Sequence, residues 1–133
     1  MQTILVIGCG AIGRAVARYL APESAIRVGA AIIEPGAEAH AREAFGDAAE
    51  IGHGVNDIST AINLAVDCAG HAALRQHGAA VLSRGTDLIT VSSGALADKA
   101  LYDELAAAGI GEHLAREPGC PLGRDLDLAD PFA

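Results

Sequence analysis

Glycines 8, 10 and 13 stand in the stretch VIGCGAIGRAVA as G-x-G-x-x-G, a spacing that suits a backbone passing close to a pyrophosphate. In a chain with 16 glycines among 133 residues, that spacing alone decides little, and its context must. The run TILVI (3–7) before it is short, apolar and β-branched, as in a strand buried on both faces. The run AIGRAVARYL (11–20) after it has no proline and a helical period. In that setting Gly8 permits the tight turn, Gly10 admits the phosphates, and Gly13 lets the helix lie close on the strand. Gly8, Gly10, Ala11, Ile12 and Gly13 then form a cradle in which free N–H groups at a helix N-terminus meet an anion.

Glu34 lies about 20 residues beyond Gly13, near the offset at which a carboxylate receives the adenosine ribose hydroxyls of a dinucleotide. A carboxylate there repels a 2′-phosphate and leans toward NAD. His40 and Arg42 follow closely and could serve that phosphate, so NADP stays open. The alternative for Glu34 is a solvated acid opening a turn. Two further segments should reach the same crevice. CAGHAAL (68–74) brings the small Ala69 and Gly70, and VSSGALAD (91–98) brings Ser92, Ser93 and Gly94 toward the nicotinamide half. Ser93 is equally suited to capping the next helix, and His71 to the polar first turn of its own.

Other chemistries find little support. SSG is not a G-x-S-x-G elbow, and Ser92, His71 and Asp67 lack triad spacing. Cys9 sits at a helix N-terminus that favours thiolate, but such a position most often holds just a small side chain in a crowded turn. Asp98, Asp103 and Glu104 read as a solvated helix face. Cys9, Cys68 and Cys120 are too dispersed for a disulfide framework or a zinc site, so no metal is expected.

These residues need a scaffold, and strands alternate with helices along the chain. IRVGAAII (26–33) reads as a second strand, 37–46 as a short helix, and 49–55 as a weak third strand. NLAVDCA (63–69) is a strand followed by a helix over 70–85. TDLITVSS (86–93) is another strand, and 95–109 a helix ended by Gly109. In the first helix Ile12, Val16 and Tyr19/Leu20 form the expected buried face. The pattern predicts an α/β fold, a Rossmann-like doubly wound and mostly parallel sheet, incomplete at its C-terminal side. Residues 1–109 form the dinucleotide-binding domain and 110–133 an irregular tail. The strand at 86–93 would then be an open edge, so a homo-oligomer is expected.

Composition sets the limits. The chain is 51% apolar but only 3% aromatic, so its core must be built from Ala, Val, Ile and Leu. A net charge of −8 with scattered arginines argues against nucleic-acid binding. No membrane span is expected, and the cysteine usage fits a reduced, cytoplasmic setting.

Three segments in order, VIGCGAIGRAVA, VDCAGHAALRQHGAAVLSRG and DLITVSSGALADKALYDEL, resemble the N-terminal region of L-aspartate dehydrogenases over about residues 1–109. The resemblance implies NAD(P)-dependent oxidation of L-aspartate to iminoaspartate, which enters NAD biosynthesis or hydrolyses to oxaloacetate and ammonia. It also implies a second, α+β domain that completes the active site and forms oligomer contacts. A PSGAIGG-like stretch of the family corresponds here to EPGCPLGRDLDL, which does not match. The family's catalytic histidine lies further downstream, so no catalytic residue is assigned. The expectation is a truncated or frame-altered product that binds cofactor and acts on L-aspartate only if the missing domain is supplied. A non-catalytic nucleotide-binding module and another reductase of the same fold are the alternatives.

Overall fold

A computed structural model of the chain describes residues 1–110, except for the side chains of Ser93 and Ile110. The tail expected over 110–133 lies, but for Ile110, outside the described residues. Five strands, β1 (Gln2–Ile7), β2 (Ile26–Ile32), β3 (Glu50–Gly52), β4 (Leu64–Asp67) and β5 (Asp87–Thr90), form one sheet in the order β3-β2-β1-β4-β5. All four pairings are parallel. Four helices connect them or follow: α1 (Ala11–Leu20), α2 (Glu38–Phe45), α3 (His71–Ser83) and α4 (Lys99–Leu105).

The period of two along β1 divides the core. Ile4 and Val6 face one side, packing with Cys68, Val16, Leu20 and Phe45 beneath α1 and α2. Leu5 and Ile7 face the other, with Ile32, Val55, Ile58 and Val81 beneath α3. Helices on both faces make the fold doubly wound, and they explain why β1 is buried from Thr3 to Ile7. A further cluster of Leu74, Leu82, Ala95, Leu101 and Leu105 joins α4 to α3. Among the described residues β5 pairs only with β4, leaving an open edge; Ile89 on it and Val91 just past it are each 53% exposed.

Two details depart from the sequence expectations. In α1 the buried positions are Gly13 and Ala17, flanked by Val16 and Leu20, while Ile12 is 49% and Tyr19 81% exposed. The helix lies so close to β1 that its line of nearest approach holds Gly13 and Ala17, with Val16 and Leu20 packing at the side. The helix expected over 95–109 is split. A 3₁₀ turn spans Ser93–Ala97, and α4 begins only at Lys99. Its cap is Asp98, whose carboxylate accepts from the N–H groups of Ala100 (3.0 Å) and Leu101 (3.3 Å) and pairs with Arg75 Nη1 at 2.7 Å. Asp98 is thus a helix cap and ion-pair partner, not a purely solvated acid, and Ser93 is relieved of capping α4. Past α4 a π-type turn spans Ala106–Ile110 and kinks at Gly109, whose φ of 136° suits glycine.

The least legible stretch, 47–60, is organised by Glu50 on β3. Its carboxylate accepts from the N–H and hydroxyl of both Ser59 and Thr60, at 2.7–3.0 Å. These bonds, the Ser59 N–H foremost, hold its pKa down at about 2. A depressed carboxyl pKa contributes stability above the unfolded value near 4.5, and that contribution is lost as pH falls toward 2. Wild type should therefore lose thermal stability between pH 4.5 and 2 more steeply than Glu50→Gln. Parallel acid-melting curves for the two proteins would contradict this.

Candidate dinucleotide-binding cleft

The carboxyl ends of the strands lie in one row. Gly52 is in register with Ile32, Ile32 with Ile7, Ile7 with Asp67, and Asp67 with Thr90. Residues just past that row form the crevice. β1 leaves it toward α1 on one face and β4 toward α3 on the other, so a topological switch point lies between them. A cleft of about 420 Å³ opens there, lined by the glycine turn, the ends of β2 and β4, and the first half of α3.

Each glycine of the turn has a different physical role. Gly8 has φ of 104°, and a Cβ on it would lie 2.6 Å from that of Ala69. A Cβ on Gly13 would strike the carbonyl oxygen of Gly8, a backbone atom unable to yield. Gly10 has ordinary dihedrals (φ −82°, ψ −161°), and a Cβ there would meet no protein atom within 4 Å. The fold thus demands glycine at 8 and 13, whereas at 10 glycine keeps clear a space outside the protein. Gly10 is also the N-cap of α1, with no side-chain cap and no acidic residue in the first turn. The first intrahelical bond among these groups is Arg14 N–H to Gly10 O, leaving the N–H groups of Ala11, Ile12 and Gly13 free of helical partners. A pyrophosphate fits this end by charge and by space.

Glu34, exposed beyond the end of β2, lines the same cleft with His40 and His53. His53 faces the Ile33 carbonyl through Nδ1 (2.9 Å) and Glu38 through Nε2 (3.2 Å). Arg42 is placed otherwise. Its Nη1 donates to the carbonyls of Ala49 (2.6 Å) and Asp47 (3.3 Å), at the far end of α2. It is not among the cleft-lining residues, which removes one of the two candidates for a 2′-phosphate.

Across the cleft, Ala69 lines the wall, and Gly70 is the N-cap of α3 with φ of 99°. His71 is exposed in the first turn of α3, and a Cβ on Gly94 would lie 3.1 Å from its ring. The two segments expected to reach the crevice therefore meet at His71 and Gly94. Ser92 is 3% exposed, and its hydroxyl donates to Asp67 (2.9 Å), so it serves the scaffold. Ser93 lies beside it in the 3₁₀ turn.

Asp67 is the residue that sequence reasoning underrated. Its side chain is wholly buried, and it accepts from Thr90 Oγ1 (2.7 Å), Ser92 Oγ (2.9 Å) and the Ala69 N–H (3.1 Å). One carboxylate thereby ties the turn after β4 to the turn after β5. The available signal was an acid in the apolar strand NLAVDCA with hydroxyls at the end of the next strand. Two cleft-lining neighbours respond to burial first and Asp67 second. The Cys68 thiol is pushed up by both, whereas His77 is pushed down by burial against an opposing pull from Asp67. Among the described residues no cluster of metal-binding side chains occurs, and no helix is long and apolar enough to cross a membrane.

The sequence was compared with known proteins. The family model described as homoserine dehydrogenase, NAD binding domain, matches residues 8–112. L-aspartate dehydrogenase 1 of Bordetella pertussis is 35% identical over 124 residues, covering 90% of this chain and 46% of that protein. The L-aspartate dehydrogenase of Ruegeria pomeroyi is 37% identical over 105 residues, 79% of this chain and 37% of its own length. That of Pseudomonas aeruginosa is 34% identical over 110 residues, covering 81% and 41%. The chain thus spans about half the length of the curated relatives it matches. With the match running from the first glycine of the turn through α4, and the crevice of a doubly wound sheet behind it, the chain belongs to the homoserine dehydrogenase-type NAD-binding domain family, and its cofactor is NAD(P).

Proposed function

We propose that this chain is the cofactor-binding portion of an NAD(P)-dependent oxidoreductase of the L-aspartate dehydrogenase kind. The observation that carries the reading is the cleft in which an uncapped α1 N-terminus, an unobstructed Gly10 and the Glu34 carboxylate line one space. When bound, NAD(P)⁺ supplies the hydride acceptor for oxidation of an amino acid such as L-aspartate to its imine. The residues here bind and orient. Gly8, Gly10, Ala11, Ile12 and Gly13 present the turn and its N–H groups to the pyrophosphate, and Glu34 accepts the adenosine ribose hydroxyls. Ala69, Gly70 and His71 on one strand end, with Ser93 and Gly94 on the next, flank the nicotinamide half, while Ser92 holds its turn through Asp67. No described residue is given a catalytic role; substrate recognition and proton transfer fall to a further domain, such as the relatives' greater length provides.

Calorimetric titration of the chain with NADH and then NADPH tests the reading. Saturable NADH binding is expected, about tenfold tighter than NADPH because Glu34 meets the 2′-substituent, and Glu34→Gln should narrow that gap. A folded chain that binds neither dinucleotide would overturn the assignment. Aspartate-dependent NADH formation on adding the second half of a relative would favour the dehydrogenase reading over a non-catalytic nucleotide-binding module.

A further inference from the structure

Among the described residues the buried polar side chains are Thr3, Asp67, His77 and Ser92. Thr3 accepts from Arg27, and Asp67 and Ser92 bond each other. His77 differs. It is only 8% exposed, lines the cleft, and makes no hydrogen bond among the described residues. No unpartnered side-chain nitrogen is sealed from solvent, so its ring can still meet a ligand. Burial lowers its pKa from the ordinary histidine value, favouring the neutral ring with one N–H donor and one acceptor nitrogen. Its ring nitrogens open to the cleft, where a ligand group can replace solvent as their hydrogen-bond partner.

The surroundings indicate what that is. On α3, Ala72 and Ala73 present a small-residue wall one turn before His77, with Gln76 beside it, and Ile33 lines the cleft from β2. Apolar side chains of this kind suit the face of a base. Gly10, Glu34 and His77 line the same space. A dinucleotide with its phosphates on α1 and its adenosine ribose on Glu34 leaves its purine for the part between Ile33 and α3. We propose that His77 reads the Watson–Crick edge of the cofactor's adenine, hydrogen-bonding its N6 amine or N1. This rests on the dinucleotide assignment made above and extends it to a residue that decides base specificity.

The test titrates the full chain with NAD⁺ and with 1,N⁶-etheno-NAD⁺, in which a two-carbon bridge blocks N6 and N1 while the phosphates and riboses are unchanged. Wild type should bind NAD⁺ about tenfold more tightly, the scale of one well-made buried hydrogen bond. His77→Leu, which keeps the bulk but not the polarity, should bind both ligands alike, near the wild-type affinity for the etheno analogue. His77→Gln, retaining a donor and an acceptor, should restore part of the preference. An undiminished preference in His77→Leu overturns the proposal. So does equal binding of both ligands by wild type, a result that decides the matter even if the leucine variant does not fold. If wild type binds neither, the dinucleotide assignment fails and the proposal fails with it, a result distinct from the other two.

Discussion

Gly10→Val is expected to lower dinucleotide affinity by about 100-fold or more while leaving the melting temperature near that of wild type. The separation of the two effects follows from the turn itself. Gly10 has a φ of −82° that any residue adopts, and a Cβ there meets nothing within 4 Å. A branched side chain instead occupies the space in which a pyrophosphate would meet the N–H groups of α1. Gly13→Val is the necessary contrast. Its Cβ strikes the Gly8 carbonyl, and the damage falls on strand–helix packing, so the melting temperature drops along with affinity. Calorimetry and thermal melting on the two variants distinguish a ligand-facing glycine from a packing glycine. Wild-type NADH affinity in a folded Gly10→Val protein would show that the space is not the phosphate site.

Asp67→Ala should destabilise the fold by about 3–4 kcal/mol, among the larger losses that one substitution causes. The side chain is completely buried and accepts three hydrogen bonds, so its removal strands two hydroxyls and a backbone N–H beside a cavity. The loss also disconnects the turn after β4, which carries Ala69 to the crevice, from the turn after β5. Asp67→Asn keeps one oxygen for the hydroxyls but turns an N–H₂ toward another donor, and should fall between the two. Urea denaturation measures both. A loss below 1 kcal/mol for the alanine variant would mean that water or a rearranged turn replaces the carboxylate.

Much of this was legible from the residues alone. A buried parallel strand needs an apolar run on both faces, and a crossover helix needs a stripe and a stop. TILVI, IRVGAAII and Gly85 meet those local requirements, and their elements formed within a residue or two of the expected bounds. Glycine in the strand–turn–helix setting likewise pointed to the crevice before any contact was known. Local pattern failed where a long-range contact decides. The face of α1 was misjudged in part: Val16 and Leu20 pack as expected, but the closeness of β1 puts Gly13 and Ala17 at the centre and leaves Ile12 and Tyr19 outside. The start of α4 was misplaced because a helical period runs through Ala95, while the cap that fixes the boundary depends on Asp98, itself paired with Arg75 from α3. In 47–60 the ordering group is a single carboxylate bonding residues nine and ten positions away, which no periodicity encodes.

The sequence by itself determined the class of the fold, the position of the glycine turn between β1 and α1 and the family resemblance, because each depends on short-range spacing that chain geometry makes obligatory. The tertiary structure alone decided which side chains are available to a ligand. Ser92 was expected near the cofactor and Arg42 was open to a 2′-phosphate, but the hydroxyl is committed to a buried carboxylate and the guanidinium to main-chain carbonyls. His77 carried no motif, yet folding buries it in the cleft with no partner among the described residues. Availability is what remains after every donor and acceptor in contact has been satisfied, and that remainder exists only once the strands have been brought side by side.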